Sequence, residues 1–267
     1  PLVALAIWAL LRAWWTPARE APRRWLAAIF LALFTHPLLD AHTAYGTQLF
    51  WPSGWTPASW ATLFIIDPLY TLPLLAGMVA VLIRPASLTA GRWLAAGLIL
   101  STLYLGWSWT AQAMVTANAR QSLKARGVAE ANLFVTPTPL NTLLWRVVAR
   151  TDGGHYEGVD SVVADDGVIE FTFLPSDDEA LASAGDVPAM QRLQWFAGGF
   201  VSAATDGETL LLSDLRMGQH PNYVFRHAVA RRGNPHWHPV EPPQRLRATL
   251  RTRDLTSIWQ RIWAAER

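Results

Sequence analysis

One short stretch of this sequence gathers residue types that suit metal chemistry. It reads Phe34-Thr-His36-Pro-Leu-Leu-Asp40-Ala-His42. His36 and Asp40 are four residues apart, so a helix turns both to one face. There they offer an imidazole nitrogen and a carboxylate oxygen to one divalent ion. Asp67, in Ile65-Ile-Asp67-Pro-Leu69, is a further carboxylate nearby in the chain. Each has a plainer reading. His36 and Asp40 can pair with each other, and His42 can be a loop histidine. Asp67 before Pro68 is also a good helix N-cap followed by proline at the first helical position.

The second half of the chain holds weaker candidates. Ser213-Asp214-Leu-Arg216 follows a strand-like run, with His220 close behind; Asp214 and Arg216 read as an ion pair across a turn. His236-Trp-His238 is an i, i+2 histidine pair in a proline-rich segment, and a surface loop is the simpler account. Asn141 and Trp195-Phe196 read as packing or membrane-seating residues. No glycine-rich phosphate loop, Ser–His–Asp order or nucleotide fingerprint occurs. The chain has no cysteine, which excludes disulfides and thiolate metal sites.

The elements that position these residues follow from the charge distribution. The chain has 267 residues, 22 Lys+Arg and 20 Asp+Glu. Up to residue 119 the charged residues are Arg12, Arg19, Glu20, Arg23, Arg24, Asp40, Asp67, Arg84 and Arg92; all others come later. The first half therefore has a lipid-like composition and the second an ordinary water-facing one. A net charge of +2, with bases and acids interleaved, gives no footprint for nucleic acid.

Four apolar runs approach the ~20 residues a membrane span needs: Pro1–Trp15, Trp25–Asp40, Leu63–Ile83 and Trp93–Met114. The first opens on Pro1 with no charged leader or cleavage site, and reads as a truncated span rather than a signal peptide. Trp14, Trp15, Trp25, Trp51, Trp55, Trp60 and Trp93 fall near the run ends, as an interfacial aromatic belt would place them. Arg12, Arg19, Arg23 and Arg24 lie between runs one and two, and Arg84 and Arg92 between runs three and four. Residues 41–62 hold no Lys or Arg. By the positive-inside tendency, residues 41–62 and everything after run four face outward. His36, Asp40, His42 and Asp67 then all sit at the outer membrane surface.

The expected fold class is a membrane α-helical region of about four spans, the first truncated, followed by a C-terminal α+β domain with a mainly antiparallel sheet. The expected divisions are a transmembrane domain over 1–118, a helical extension and linker over 119–140, and an α+β domain over 141–267. In the last, strands are expected at Leu143–Arg150, Tyr156–Ala164, Val168–Leu174, Phe200–Thr205, Thr209–Asp214 and Tyr223–Arg231. Asp178–Phe196 reads as a helix broken at Gly185 and Pro188, and Arg253–Ala265 as a short terminal helix. Thr136-Pro-Thr-Pro139 reads as a stiff linker.

Several strings together resemble a known family. They are Thr35-His-Pro-Leu-Leu-Asp-Ala-His-Thr-Ala-Tyr-Gly-Thr-Gln-Leu-Phe-Trp-Pro52 and Phe64-Ile-Ile-Asp-Pro-Leu-Tyr-Thr-Leu-Pro73, then Pro137-Thr-Pro-Leu-Asn-Thr-Leu-Leu-Trp-Arg146, Arg192-Leu-Gln-Trp-Phe196 and Ser213-Asp-Leu-Arg-Met-Gly218. In this order they resemble the bacterial inner-membrane-bound metal-dependent hydrolases of the YdjM/YbcI type. That family also has Pro-Asp-x-Asp and His-Arg-Gly-x-Thr-His-Ser segments, which this sequence lacks. The resemblance implies a divalent metal, zinc foremost, held in part by His36, Asp40 and Asp67. It implies hydrolysis of an ester or phosphoester by metal-activated water, with catalytic residues left open. It also implies location in the bacterial inner membrane, with the bilayer as partner and a lipid-like or envelope-derived substrate. The other reading is a non-enzymatic envelope protein whose helical anchor displays a β-rich binding domain.

Overall fold

The computed structural model describes every residue except 129, 234–235, 247–251 and 266–267, and the side chains of 252–254 as well. The first part is helical: α1 (Leu2–Trp14), the short α2 (Thr16–Glu20), α3 (Pro22–Ala41), α4 (Pro68–Ile83) and α5 (Leu88–Ala125). Among the described residues, two helices are long and apolar enough to cross a membrane, α3 and α5; α1 and α4 are shorter apolar helices. The expected third run loses its first turn, because Asp67 caps the helix and Pro68 is its first residue.

α5 is the backbone of the molecule. It runs unbroken for 38 residues, which at ~1.5 Å per residue is ~57 Å, against a hydrocarbon core of ~30 Å. Its buried residues Ala90, Gly97, Ser101, Ser108, Ala111, Val115, Ala119 and Ser122 recur at spacings of three, four and seven, so one face is covered along its whole length. The small residues of the first half receive α4. A Cβ on Gly77 would lie 2.7 Å from Leu94 Cα, and one on Gly97 would overlap the Pro73 carbonyl. Ser101 Oγ donates to Tyr70 O at 2.7 Å. Close backbone approach through small residues is the usual basis of helix pairing in lipid. The helix ends where Gly127 adopts φ +79, with Gly127 N donating to Lys124 O and Val128 N to Leu123 O, a Schellman stop.

The second half of α5 is core to a sheet. This sheet has the order β1 (Asn132–Pro137), β2 (Leu144–Thr151), β3 (Gly154–Ser161), β4 (Thr172–Pro175), all pairs antiparallel. Trp145, Val147 and Ala149 alternate along β2 and pack with Val115, Ala119 and Leu123 of α5. The segment read as a linker is thus a strand up to Pro137: β1 runs back along α5, and Pro137 pairs at its end with Trp145.

A second antiparallel sheet has the order β10 (His238–Leu246), β9 (Arg226–Arg231), β6 (Thr209–Asp214), β5 (Val201–Asp206). It packs on α6 (Asp178–Ser183) and α7 (Pro188–Phe196) through Ala184, Val187, Met190, Leu210 and Leu212. The helix break at Gly185–Pro188 stands as expected. β5 and β6 join across Gly207-Glu208, with Asp206 opposite Thr209. Tyr223 lies not in β9 but in the two-residue β8 (Asn222–Tyr223), paired with β7 (Gly218–Gln219). β10, with three prolines, is an edge strand, where a missing N–H costs least. The described part closes with α8 (Thr252–Trp263).

Candidate functional site

His36 and Asp40 do share a helix face. Their closest atoms, His36 Nε2 and Asp40 Oδ2, are 3.5 Å apart, and the side chains are 77% and 51% exposed. Such an exposed pair contributes ~0–1 kcal/mol to stability, so folding makes little use of it.

His42 and Asp67 are used by the fold. His42 is the C-cap residue of α3 and is buried. Its Nδ1 lies 2.8 Å from Thr62 Oγ1, and its ring meets Trp60 and Trp109 edge-on. The loop 42–67 turns back over the helix end, where Trp60 N donates to Ala41 O and Leu63 N to His42 O. This satisfies carbonyls that a helix end otherwise leaves open. Asp67 Oδ1 accepts from Leu69 N at 3.0 Å and Tyr70 N at 3.2 Å. Its Oδ2 accepts from Tyr104 Oη at 2.9 Å. With a donor on each oxygen, Asp67 serves the fold as the cap of α4 and its link to α5. His36 and Asp40 are placed to offer one nitrogen and one oxygen together. Among the described residues, no three His, Asp or Glu side chains stand together as a set for an ion.

What the structure does bring together is a seam between the helical part and the sheets. Tyr104 Oη also accepts from Thr142 Oγ1 at 2.9 Å, and Trp107 Nε1 donates to the same hydroxyl at 3.1 Å. Gln112 Nε2 donates to Trp60 O at 2.7 Å and Val135 O at 2.9 Å. Asn141 shapes the turn beside Thr142, with its Oδ1 accepting from Leu143 N and Leu144 N at 2.8 Å. Trp195 Nε1 donates to Gly54 O at 2.8 Å, and Phe196 packs on Tyr45 and under the Arg216 guanidinium. Arg216 and Asp214 form the expected ion pair, at 2.7 Å with both side chains buried. A cavity of about 210 Å³ opens at this seam, lined by Gln48, Trp51, Ser53, Trp55, Thr56 and Trp195 among others.

A second cluster was not apparent from spacing. Arg146 of β2 pairs with Glu157 of β3, and Arg146 Nη1 donates to Leu215 O at 2.7 Å. Tyr223 Oη donates to Glu157 Oε1 at 3.0 Å and lies 2.9 Å from His155 Nε2. Burial opposes ionisation of Glu157, but the Arg146 charge and hydrogen bonds outweigh it and hold its pKa below the usual value. Burial drives His155 down to about 4, with Glu157 opposing and Arg146, Arg150 and His220 assisting. Burial first, and then the Glu157 charge, raise Tyr223. These groups bind β2 and β3 to β8 and the 215 loop. The one sequence signal was His155-x-Glu157, which alternation puts on one strand face. His236 and His238 are exposed, His238 opening β10.

Residues 1–115 match the family model of the YdjM inner membrane protein. The helical part of the chain is therefore similar to that inner-membrane family. The match ends inside α5, so both sheets lie outside it. Comparison with curated proteins and with solved structures gave no match.

Proposed function

We propose that this chain is a multi-pass protein of the bacterial inner membrane, in which four spans hold a β-rich domain rigidly at the extracytoplasmic face as a non-enzymatic display module. The observation behind this is the single course of α5. One helix pairs with α4 through small residues and then enters the core of the first sheet. A flexible tether would leave the domain free to turn; a continuous helix with a sealed seam does not. The charge pattern supports the orientation. Loop 42–67, without Lys or Arg, is on the domain side, whereas Arg19, Arg23, Arg24, Arg84 and Arg92 lie at the other helix ends. The aromatic, uncharged cavity beside Trp195 is the place for a ligand in this reading.

Cysteine labelling tests the orientation, since the native chain has no cysteine. Membrane-impermeant maleimide applied to spheroplasts should label Gly207→Cys and leave Ala86→Cys unlabelled. The reverse pattern would sink the reading.

A metal-dependent hydrolase is the second reading, favoured by the exposed His36–Asp40 pair that the fold leaves unused. A bound divalent ion such as zinc would supply acidified water there for a lipid-like or envelope-derived ester. Metal analysis of the purified full chain decides between the two. Stoichiometric metal lost in both His36→Ala and Asp40→Ala supports the hydrolase. The same metal content in all three proteins removes it.

A further inference from the structure

We infer that α8 is an interfacial helix that lies on the lipid headgroup region of the same bilayer and holds the first sheet down onto the membrane. This rests on the helical part spanning that bilayer. In α8 the apolar residues are Leu255, Ile258, Trp259, Ile262 and Trp263, at spacings of three and four. At ~100° per residue they form one arc of ~140°. The domain covers only half of this arc. Ile262 is buried, at 1% exposure, and Ile258 is half-buried. Leu255, Trp259 and Trp263 form the adjoining stripe, at 48%, 62% and 58% exposure.

The place where α8 is fastened explains the uncovered half. Ser161 Oγ donates to Ile262 O at 2.7 Å, and Arg261 Nη2 to Asp165 Oδ2 at 2.6 Å. Ser161 ends β3 opposite Leu144, the start of β2, and the next residue, Val162, donates its N–H to Leu143 O. Leu143 adjoins Thr142, the residue bonded to Tyr104 and Trp107 of α5. So α8 is fastened where β2 begins and β3 ends, beside Asp160, which accepts from Asn118 of α5 at 2.8 Å. Two further apolar side chains, Leu140 and Val163, are exposed in the same two connections. In the sequence, Arg247 and Arg251 precede α8 with no acid between them, a composition that suits anionic headgroups. Tryptophans on a half-covered helix beside span ends, with arginines leading in, match lipid-surface chemistry.

The test uses the full chain in lipid vesicles, with bimane on single cysteines and lipids bearing a nitroxide near the headgroup. The probes are Leu255→Cys, Trp259→Cys and Trp263→Cys on the stripe, and Ser257→Cys, exposed and about 160° round the helix from the centre of the stripe. Leu98→Cys, exposed on α5, with a mid-chain nitroxide lipid, reports spanning. All these side chains are exposed, so the core stays intact. Stripe probes should be quenched at least about twofold more than Ser257→Cys, as for a helix lying in the interface plane. Equal quenching on both faces overturns the inference while leaving the spans in place. So does disulfide cross-linking of the stripe between two copies in place of lipid quenching. An unquenched Leu98→Cys overturns the spanning reading and this inference with it.

Discussion

Tyr104 donates to Asp67 across 2.9 Å and accepts from Thr142 across 2.9 Å. One phenol thereby joins the cap of α4, the middle of α5 and the turn before β2. Tyr104→Phe removes the donor to Asp67 Oδ2 and the acceptor for Thr142. The expected cost is about 1–3 kcal/mol, because buried partners lose satisfied hydrogen bonds. Denaturant unfolding in detergent measures it; an unchanged midpoint would show that the seam does not depend on this link.

Gly97 and Gly91 make a controlled pair on α5. A Cβ at Gly97 would overlap the Pro73 carbonyl, whereas a Cβ at Gly91 meets nothing within 4 Å. Gly97→Ala should destabilise by about 1–3 kcal/mol through forced separation of α4 and α5. Gly91→Ala should be neutral or slightly stabilising, by up to ~1 kcal/mol of helix propensity. Equal midpoints for the two variants would contradict the close α4–α5 approach.

The Arg146–Glu157 pair is buried among β2, β3 and β8. Glu157→Gln leaves the Arg146 charge uncompensated, and a loss of about 3–5 kcal/mol is expected. The double variant Arg146→Met with Glu157→Gln should recover part of it. A single variant as stable as the parent would place this pair in water rather than in the core.

His155 gives the β-rich domain an acid sensitivity. Its folded pKa is depressed to about 4 from the usual 6.5, so between those values the unfolded state binds more protons. Stability is therefore fully present above pH ~6.5 and is lost as pH falls toward ~4, by up to about 3 kcal/mol. His155→Gln should flatten that part of the pH profile. Profiles of equal slope in the two proteins would show that His155 is not buried neutral.

The paired residues His36 and Asp40 should matter little to folding. Each alanine variant is expected within about 0.5 kcal/mol of the parent. Thermal unfolding without added metal checks this, and a large loss in either would mean that the pair supports the end of α3.

Local physics was legible in the sequence wherever one residue and its neighbours decide the outcome. Asp67-Pro68 is a cap because of its own side chain and the proline ring. Gly185 and Pro188 break a helix for backbone reasons. The apolar runs set α1, α3, α4 and α5, and the turn residues Asp206-Gly207-Glu208 set the β5–β6 hairpin. The strand β1 was hidden because Thr136-Pro-Thr-Pro139 has the composition of a linker. Its pairing with β2 supplies hydrogen bonds that prolines alone could not suggest.

The candidate site divides in the same way. By itself the sequence determined that His36 and Asp40 face each other, since four residues on a helix make one turn. It also determined that charge and lipid-like composition part company near residue 119. Only the tertiary structure decided that Asp67 also accepts from Tyr104, and that His42 closes over Thr62. Those bonds depend on backbone brought together from 20 to 37 residues away, and no local spacing encodes which distant donor arrives. The same holds for α5: its small-residue face was in the sequence, but that α4 covers one half and a sheet the other is a property of the packed chain.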